Sequence, residues 1–172
     1  RDLLDFSRRG SVTDDPQMTK TADRERAIRD AVRLIEPQQR LRGIEILLDL
    51  ETALPNVRGA TDQLTQVILN LLLNATDAMA GEGNVEVNAR SNEGEGSVIV
   101  TVRDQGPGID ESVLKTIFEP FVTTKEPGDG TGLGLAVCNT IVQRFGGTIH
   151  AENSPDGGAT FTVRLSISSR QP

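Results

Sequence analysis

The stretch that decides the fold runs from Thr61 to Ala80, TDQLTQVILNLLLNATDAMA. Its spacing predicts one helix over 61–80, capped by Thr61 and closed by Gly81 and Gly83. At about 100° per residue, Asn70, Asn74 and Asp77 fall in a narrow stripe, which Gln63 and Gln66 extend toward the N-terminus. Nearly everything else is apolar: Val67, Ile68, Leu69, Leu71, Leu72, Leu73 and Ala75. A surface helix has a broad polar face; a thin polar stripe between greasy flanks is expected to face a pocket or a polar neighbour. Taken alone, it fits the solvated edge of a buried helix equally well. Asn side-chain oxygens are hard ligands suited to Mg²⁺, which keeps several waters and sits beside phosphates.

Working outward, Ala27, Ile28, Ala31, Val32, Leu34 and Ile35 recur near helical spacing and predict a helix over 21–39. IEILLDL at 44–50 reads as a strand entered through Gly43. Segments 85–89 and 97–103 alternate apolar and polar residues and predict a hairpin around SNEGEG. A short helix is expected over 111–117, loop chemistry over 119–130, and a second long helix over 133–145, ended by Gly146-Gly147. A last strand pair, 148–151 and 160–167, flanks the turn 153–158. The sum is an α/β (α+β) two-layer sandwich with four or five mostly antiparallel strands and helices on one face. Residues 1–9 read as the end of an amphipathic helix closing at Gly10, followed by a linker over 11–17.

Two further segments carry chemistry. Asp104-Gln105-Gly106-Pro107-Gly108 follows the strand 97–103 directly. A strand-end carboxylate before two glycines can accept a hydrogen bond from an exocyclic amine while the backbone approaches a ring closely. Alone, it reads better as an ordinary turn. Gly130-Thr131-Gly132-Leu133-Gly134 opens the helix over 133–145, where bare N–H groups and the positive helix end suit a phosphate. Lys125 upstream adds a cation. No Gly-Lys-Ser/Thr follows, so this is not a P-loop, and Leu135 at the sixth position makes a poor dinucleotide fingerprint. Alone, a glycine-rich hinge fits as well.

Composition narrows the classes. The chain has 172 residues, 18 Lys+Arg against 25 Asp+Glu, and a net charge of -7. That balance disfavours a phosphate-backbone binder, and five Phe with no Trp or Tyr give no base-stacking platform, so no nucleic-acid partner is expected. Cys138 and His150 are the only residues of their kinds, which excludes an internal disulfide, a Cys-based zinc site and a His-rich metal centre. Cys138 is expected to be a small buried residue, and His150 a structural one on a strand. The charges over 23–29 are expected to form a solvated helix face. No apolar run is long enough to span a membrane, the start is not a signal peptide, and no initiator Met is present. The expectation is a cytoplasmic piece of a longer protein.

The three signals gain force from their order, which within about 65 residues resembles the ATP-binding catalytic domain of sensor histidine kinases, in the GHKL superfamily (gyrase, Hsp90, histidine kinase, MutL). NLLLNATDAM at Asn70–Met79 resembles the asparagine box, DQGPGI at Asp104–Ile109 the first glycine box, and IFEPFVTTK at Ile117–Lys125 the phenylalanine box. GTGLGLAV at Gly130–Val137 resembles the second glycine box, and GGATFTV at Gly157–Val163 the closing strand. The pattern is most similar to the nitrogen-regulation type of sensor kinase, and implies the Bergerat fold. By this resemblance Asn74 is the Mg²⁺ ligand, and Asn70 helps position metal and phosphates. Asp77 stands where many kinases carry a basic or polar residue, so its charge implies a water-mediated role. Asp104 is the adenine acceptor, with Gly106, Gly108 and Ile109 beside the ring. Phe118, Phe121, Thr123, Thr124 and Lys125 belong to a mobile lid. Gly130, Thr131, Gly132, Leu133, Gly134 and Leu135 wrap the phosphates, and Thr160 helps hold adenine through water.

The resemblance further implies ATP and Mg²⁺ as cofactors, ADP as product, and in-line attack on the γ-phosphorus by a histidine on a separate dimerisation helix, with Asn70, Asn74 and Lys125 as the catalytic set. That histidine box is absent from this sequence; residues 1–12 resemble the end of its helical hairpin and 13–172 the catalytic domain. The implied partners are that hairpin and a response-regulator receiver domain, within a homodimeric parent; the fragment itself is expected to be a monomer. Two alternatives share the pocket: a module that senses ATP or ADP without turnover, and a protein serine kinase of the anti-sigma type.

Overall fold

A computed structural model describes residues 21–37, 43–124 and 130–168. The expectations for 1–12 and 11–17, and for Lys125, lie outside them. The elements are β1 (Thr21–Ala22), α1 (Arg24–Ile35), β2 (Ile44–Leu50), β3 (Val57–Arg58), α2 (Thr61–Ala78), β4 (Gly83–Asn92), β5 (Ser97–Arg103), α3 (Glu111–Leu114), α4 (Gly134–Arg144), β6 (Thr148–Asn153) and β7 (Ala159–Ser166).

Five strands form one sheet in the order β2-β4-β5-β7-β6. All pairs are antiparallel except β2 with β4. The alternation legible in the sequence sets which face is buried. Val85, Val87 and Ala89 of β4, Val98, Val100 and Val102 of β5, and Phe161, Val163 and Leu165 of β7 are all buried. Against them lie Ile28 and Ile35 of α1, Leu64, Ile68, Leu71 and Leu72 of α2, and Ile141 and Val142 of α4. Helices therefore cover one face, as the two-layer expectation requires.

The departures are local and have physical causes. Strand β4 extends to Gly83 and Asn92, beyond the expected 85–89, because it is paired on both sides, by β2 and β5. A two-stranded sheet, β1 with β3, takes Thr21–Ala22 out of the expected helix. Thr61 does not cap α2: Ala60 holds the cap position, and the Thr61 hydroxyl accepts from the Asp23 backbone N–H at 3.2 Å. Asp23 caps α1 through the Arg26 N–H at 3.0 Å, so one loop residue links the starts of two helices. Helix α1 stops at Ile35: the Glu36 N–H still bonds the Val32 carbonyl at 3.0 Å, but Pro37 has no N–H to carry the bonding further. Gly146, at φ +70°, turns the chain out of α4 as expected.

Candidate functional site

Asp104 follows the last residue of β5, the central strand, and its own N–H donates to the Ala159 carbonyl at 3.0 Å. Asp104 is 2% exposed. Its Oδ1 accepts from the Gly106 N–H at 2.9 Å and from the Ala159 N–H at 3.2 Å. The second oxygen, Oδ2, has no such partner and is left for a donor in the cleft that Asp104 lines. Burial pushes the Asp104 carboxyl above the ordinary aspartate range; the two backbone donors and then the Arg103 charge oppose that rise.

The cleft has a volume of about 600 Å³ and lies between α2, the Asp104 loop and the start of α4. Helix α2 contributes Asn70, Asn74 and Asp77, so the polar stripe faces this cleft and not bulk solvent. Gln63 and Gln66 are not on its wall. The Asn70 amide donates to the Gly134 carbonyl at 3.3 Å and fixes α2 against the first turn of α4. Below that contact the Cys138 thiol reaches the Val67 carbonyl at 3.7 Å. Burial pushes this thiol up to about 12, so Cys138 packs the two helices and is inert as a nucleophile.

Helix α4 has no side-chain cap, and its first intrahelical acceptor, Leu133 O, is bonded by the Val137 N–H. The N–H groups of Gly134, Leu135 and Ala136 precede that first bond, and Gly130, Thr131, Gly132, Gly134 and Leu135 line the cleft. Among the described residues no Lys or Arg lines it, while Asp77 and Asp104 do. A polyphosphate here would need helix N–H groups and a metal to offset its charge. The amide oxygens of Asn70 and Asn74 suit that metal. No cluster of three His, Cys, Asp or Glu able to hold one by itself exists among the described residues. The donor set therefore fits Mg²⁺ bound jointly with phosphates.

The opposite wall is apolar. Ile109, Val113, Ile117, Val122, Ala159 and Phe161 line it, and Phe118 packs edge-on to Phe161 with ring centroids 6.3 Å apart. Thr123 and Thr124 reach the rim. The lid's two ends meet where the Phe121 N–H donates to the Gly132 carbonyl at 2.9 Å. Both residues have positive φ, and a Cβ on Gly132 would stand 2.6 Å from the Phe121 carbonyl carbon.

Thirteen expected residues thus meet at one cleft: Asn70, Asn74, Asp77, Asp104, Gly108, Ile109, Thr123, Thr124, Gly130, Thr131, Gly132, Gly134 and Leu135. Five others stand off its wall, among them Phe118, whose ring packs on Phe161. Gly106 turns its N–H to Asp104 and backs onto the Ala78 carbonyl. Phe121 points outward, 76% exposed. The Leu133 N–H is taken by the Thr131 hydroxyl at 3.3 Å. Thr160 alternates to the sheet face opposite Ala159 and Phe161, and its hydroxyl bonds Ser154 at 2.8 Å. Val113, Ala159 and Phe161 were missed because an apolar wall residue looks like any core residue in sequence. His150 is an exposed strand residue.

Comparison with known proteins agrees with this geometry. Residues 59–169 match the family described as histidine kinase-, DNA gyrase B-, and HSP90-like ATPase. The chain is 40% identical over 152 residues to the sensor histidine kinase ZraS of Klebsiella oxytoca, covering 88% of this chain and 32% of that one. It is 43% identical over 130 residues to sporulation kinase A of Bacillus subtilis, covering 76% and 21%. Among solved structures, full-length ShkA in complex with AMPPNP superposes with a TM-score of 0.79 at 30% identity, covering 98% of this chain and 35% of that one. The nucleotide-free catalytic domain of the histidine kinase ThkA gives 0.75 at 30% identity, covering 86% and 95%.

Proposed function

This chain belongs to the histidine kinase-, DNA gyrase B-, and HSP90-like ATPase family, and from that premise we propose that it binds Mg-ATP in the cleft and presents the γ-phosphoryl group to a histidine on a separate dimerisation helix. It carries the ATP-binding catalytic domain of the sensor histidine kinases. The chain spans 32% of the length of the Klebsiella relative, so the activity and partners of the whole protein are part of the proposal.

One observation carries the reading: Asp104 is buried with Oδ1 held by two backbone donors, so Oδ2 is aimed as an acceptor. An adenine exocyclic amine is a matching donor, whereas guanine presents a carbonyl at that position. Ile109 and Phe161 would clasp the ring from apolar sides. The N–H groups that open α4 would donate to phosphate oxygens, and Asn70 and Asn74 would hold the metal. Bound Mg²⁺ would neutralise triphosphate charge. Thr123 and Thr124, both exposed, line the cleft where the lid begins. The proposed partners are a dimerisation hairpin carrying the histidine and a response-regulator receiver domain; Lys125 is proposed to add a cation for the phosphates. Among the described residues no helix is long and apolar enough to cross a membrane, and we place the domain in the cytoplasm.

The test is titration calorimetry with ATP, ADP and GTP, with and without Mg²⁺, followed by phosphotransfer to a separately produced histidine hairpin. Magnesium-assisted adenine-selective binding with transfer is expected. Binding without transfer would identify an ATP-sensing module, and transfer to a partner serine the anti-sigma type of kinase. No adenine-selective binding would overturn the reading.

A further inference from the structure

The end of β6 makes an uncommon contact with the cleft. The Asn153 side chain accepts from the Ile109 N–H at 2.7 Å through Oδ1 and donates to the Ile109 carbonyl at 2.8 Å through Nδ2. The two partners are 44 residues apart in the chain. Because Ile109 offers one donor and one acceptor, the orientation of the amide is settled by its partners. The side chain thus imitates a neighbouring strand's peptide and adds a two-point rung between β6 and the loop after Asp104. Gly108 is pressed into the same contact: at φ +83°, a Cβ there would stand 2.8 Å from Asn153 Oδ1. Ile109 lines the cleft and Asn153 does not.

We propose that Asn153 is a positioning residue for the nucleotide base, its amide fixing the height of the Gly108–Ile109 wall relative to Oδ2 of Asp104. This rests on the adenine reading of the cleft and deepens it. The loop from Gln105 to Ile109 contains two glycines and a proline and is outside regular structure, so its own backbone bonds do not hold it. Besides the Gln105 side chain, which accepts from the Asn84 N–H at 3.0 Å, two braces do: the Asp104–Ala159 pair at its start and the Asn153–Ile109 pair at its end. The first holds the acceptor and the second holds the surface on which the ring lies. No other side chain of similar size supplies both halves. Aspartate accepts but, ionised, repels the Ile109 carbonyl; serine is shorter; leucine supplies neither.

The experiment compares the wild-type chain with Asn153→Ala and the same-sized Asn153→Asp, by calorimetry with ADP and GDP at saturating and zero Mg²⁺, well below each thermal midpoint. Circular dichroism shows that each is folded. Both variants are expected to bind ADP about tenfold more weakly, the cost of an unmade hydrogen-bond pair. Both should narrow the ADP-over-GDP preference while keeping the ratio of affinities with and without Mg²⁺, because the Asn153 amide bonds Ile109 and neither Asn70 nor Asn74, which would hold the metal. A merely structural asparagine would lower the thermal midpoint and leave the base preference of the folded molecules unchanged, which overturns the proposal. If Asn153→Ala does not fold, Asn153→Asp decides by the same two ratios. Failure of the wild-type chain to prefer ADP would overturn the adenine reading and this proposal with it; a normal wild type with unaltered variants overturns this proposal alone.

Discussion

Asp104 shows how one residue's surroundings assign its work. Burial raises its carboxyl affinity for a proton, so the folded state holds that proton more tightly than the unfolded chain. The stabilising contribution of the neutral form is present below the unfolded value and lost as pH rises through the folded one. At neutral pH the ionised group therefore costs stability. Asp104→Asn keeps an oxygen for the Gly106 and Ala159 N–H groups but turns a donor toward the cleft. It should leave the thermal midpoint at pH 7.5 (about) unchanged or higher while weakening ADP binding by about tenfold to a hundredfold, the cost of roughly 1.5–3 kcal/mol. For the wild type, ADP affinity should fall on acidification, beginning above the ordinary aspartate value of about 4, because the neutral carboxyl is a weaker acceptor than the anion and carries a proton of its own. Calorimetry across pH checks both. At Asn74, replacement by alanine should remove most of the Mg²⁺ enhancement of binding while leaving metal-free ADP affinity near wild type. Cys138, by contrast, should react with thiol reagents only on unfolding, since its thiol is buried and raised to about 12.

At the scale of elements, α2 joins the hydrophobic core to the cleft. Its two faces were legible in sequence because 3.6-residue periodicity separates Leu64, Ile68, Leu71 and Leu72 from Asn70, Asn74 and Asp77. Leu71→Ala should cost about 2–5 kcal/mol by chemical denaturation, as for a fully buried leucine. The lid's stem makes a different demand. Gly132→Ala would drive a Cβ into the Phe121 backbone and impose φ +64° on an ordinary residue. It should therefore open the Phe121–Gly132 contact and weaken binding of ATP while sparing the thermal midpoint relative to Leu71→Ala. The caps and short strands were not legible. Whether Thr61 capped its own helix or served Asp23 depended on where α1 lay, a contact 38 residues distant in the chain. Strands β1 and β3, two residues each, carry no periodic signal and exist because they meet.

Among the described residues a five-stranded sheet, a small two-stranded one and a layer of helices frame the cleft. A ligand that binds only the folded state stabilises it by mass action. Mg-ADP at about 100 times its dissociation constant should add about 2.7 kcal/mol, raising the thermal midpoint by roughly 5–10 °C for a chain of this size. GDP at equal concentration should raise it much less.

The amino-acid sequence by itself determined the layers and most of the ligand-facing chemistry: periodicity chose helix or strand, and the Asn, Asp and glycine segments, ambiguous singly, pointed to a nucleotide through their ordered resemblance to a known family. Those signals are local, lying within one element or one turn. Tertiary structure alone decided which candidates share a wall. It turned Thr160 to the far face, left Phe121 outside, and brought Asn153 onto Ile109 from another strand. Such meetings depend on the register of β5, β6 and β7 and on how the loops between them cross, and no single segment encodes that geometry.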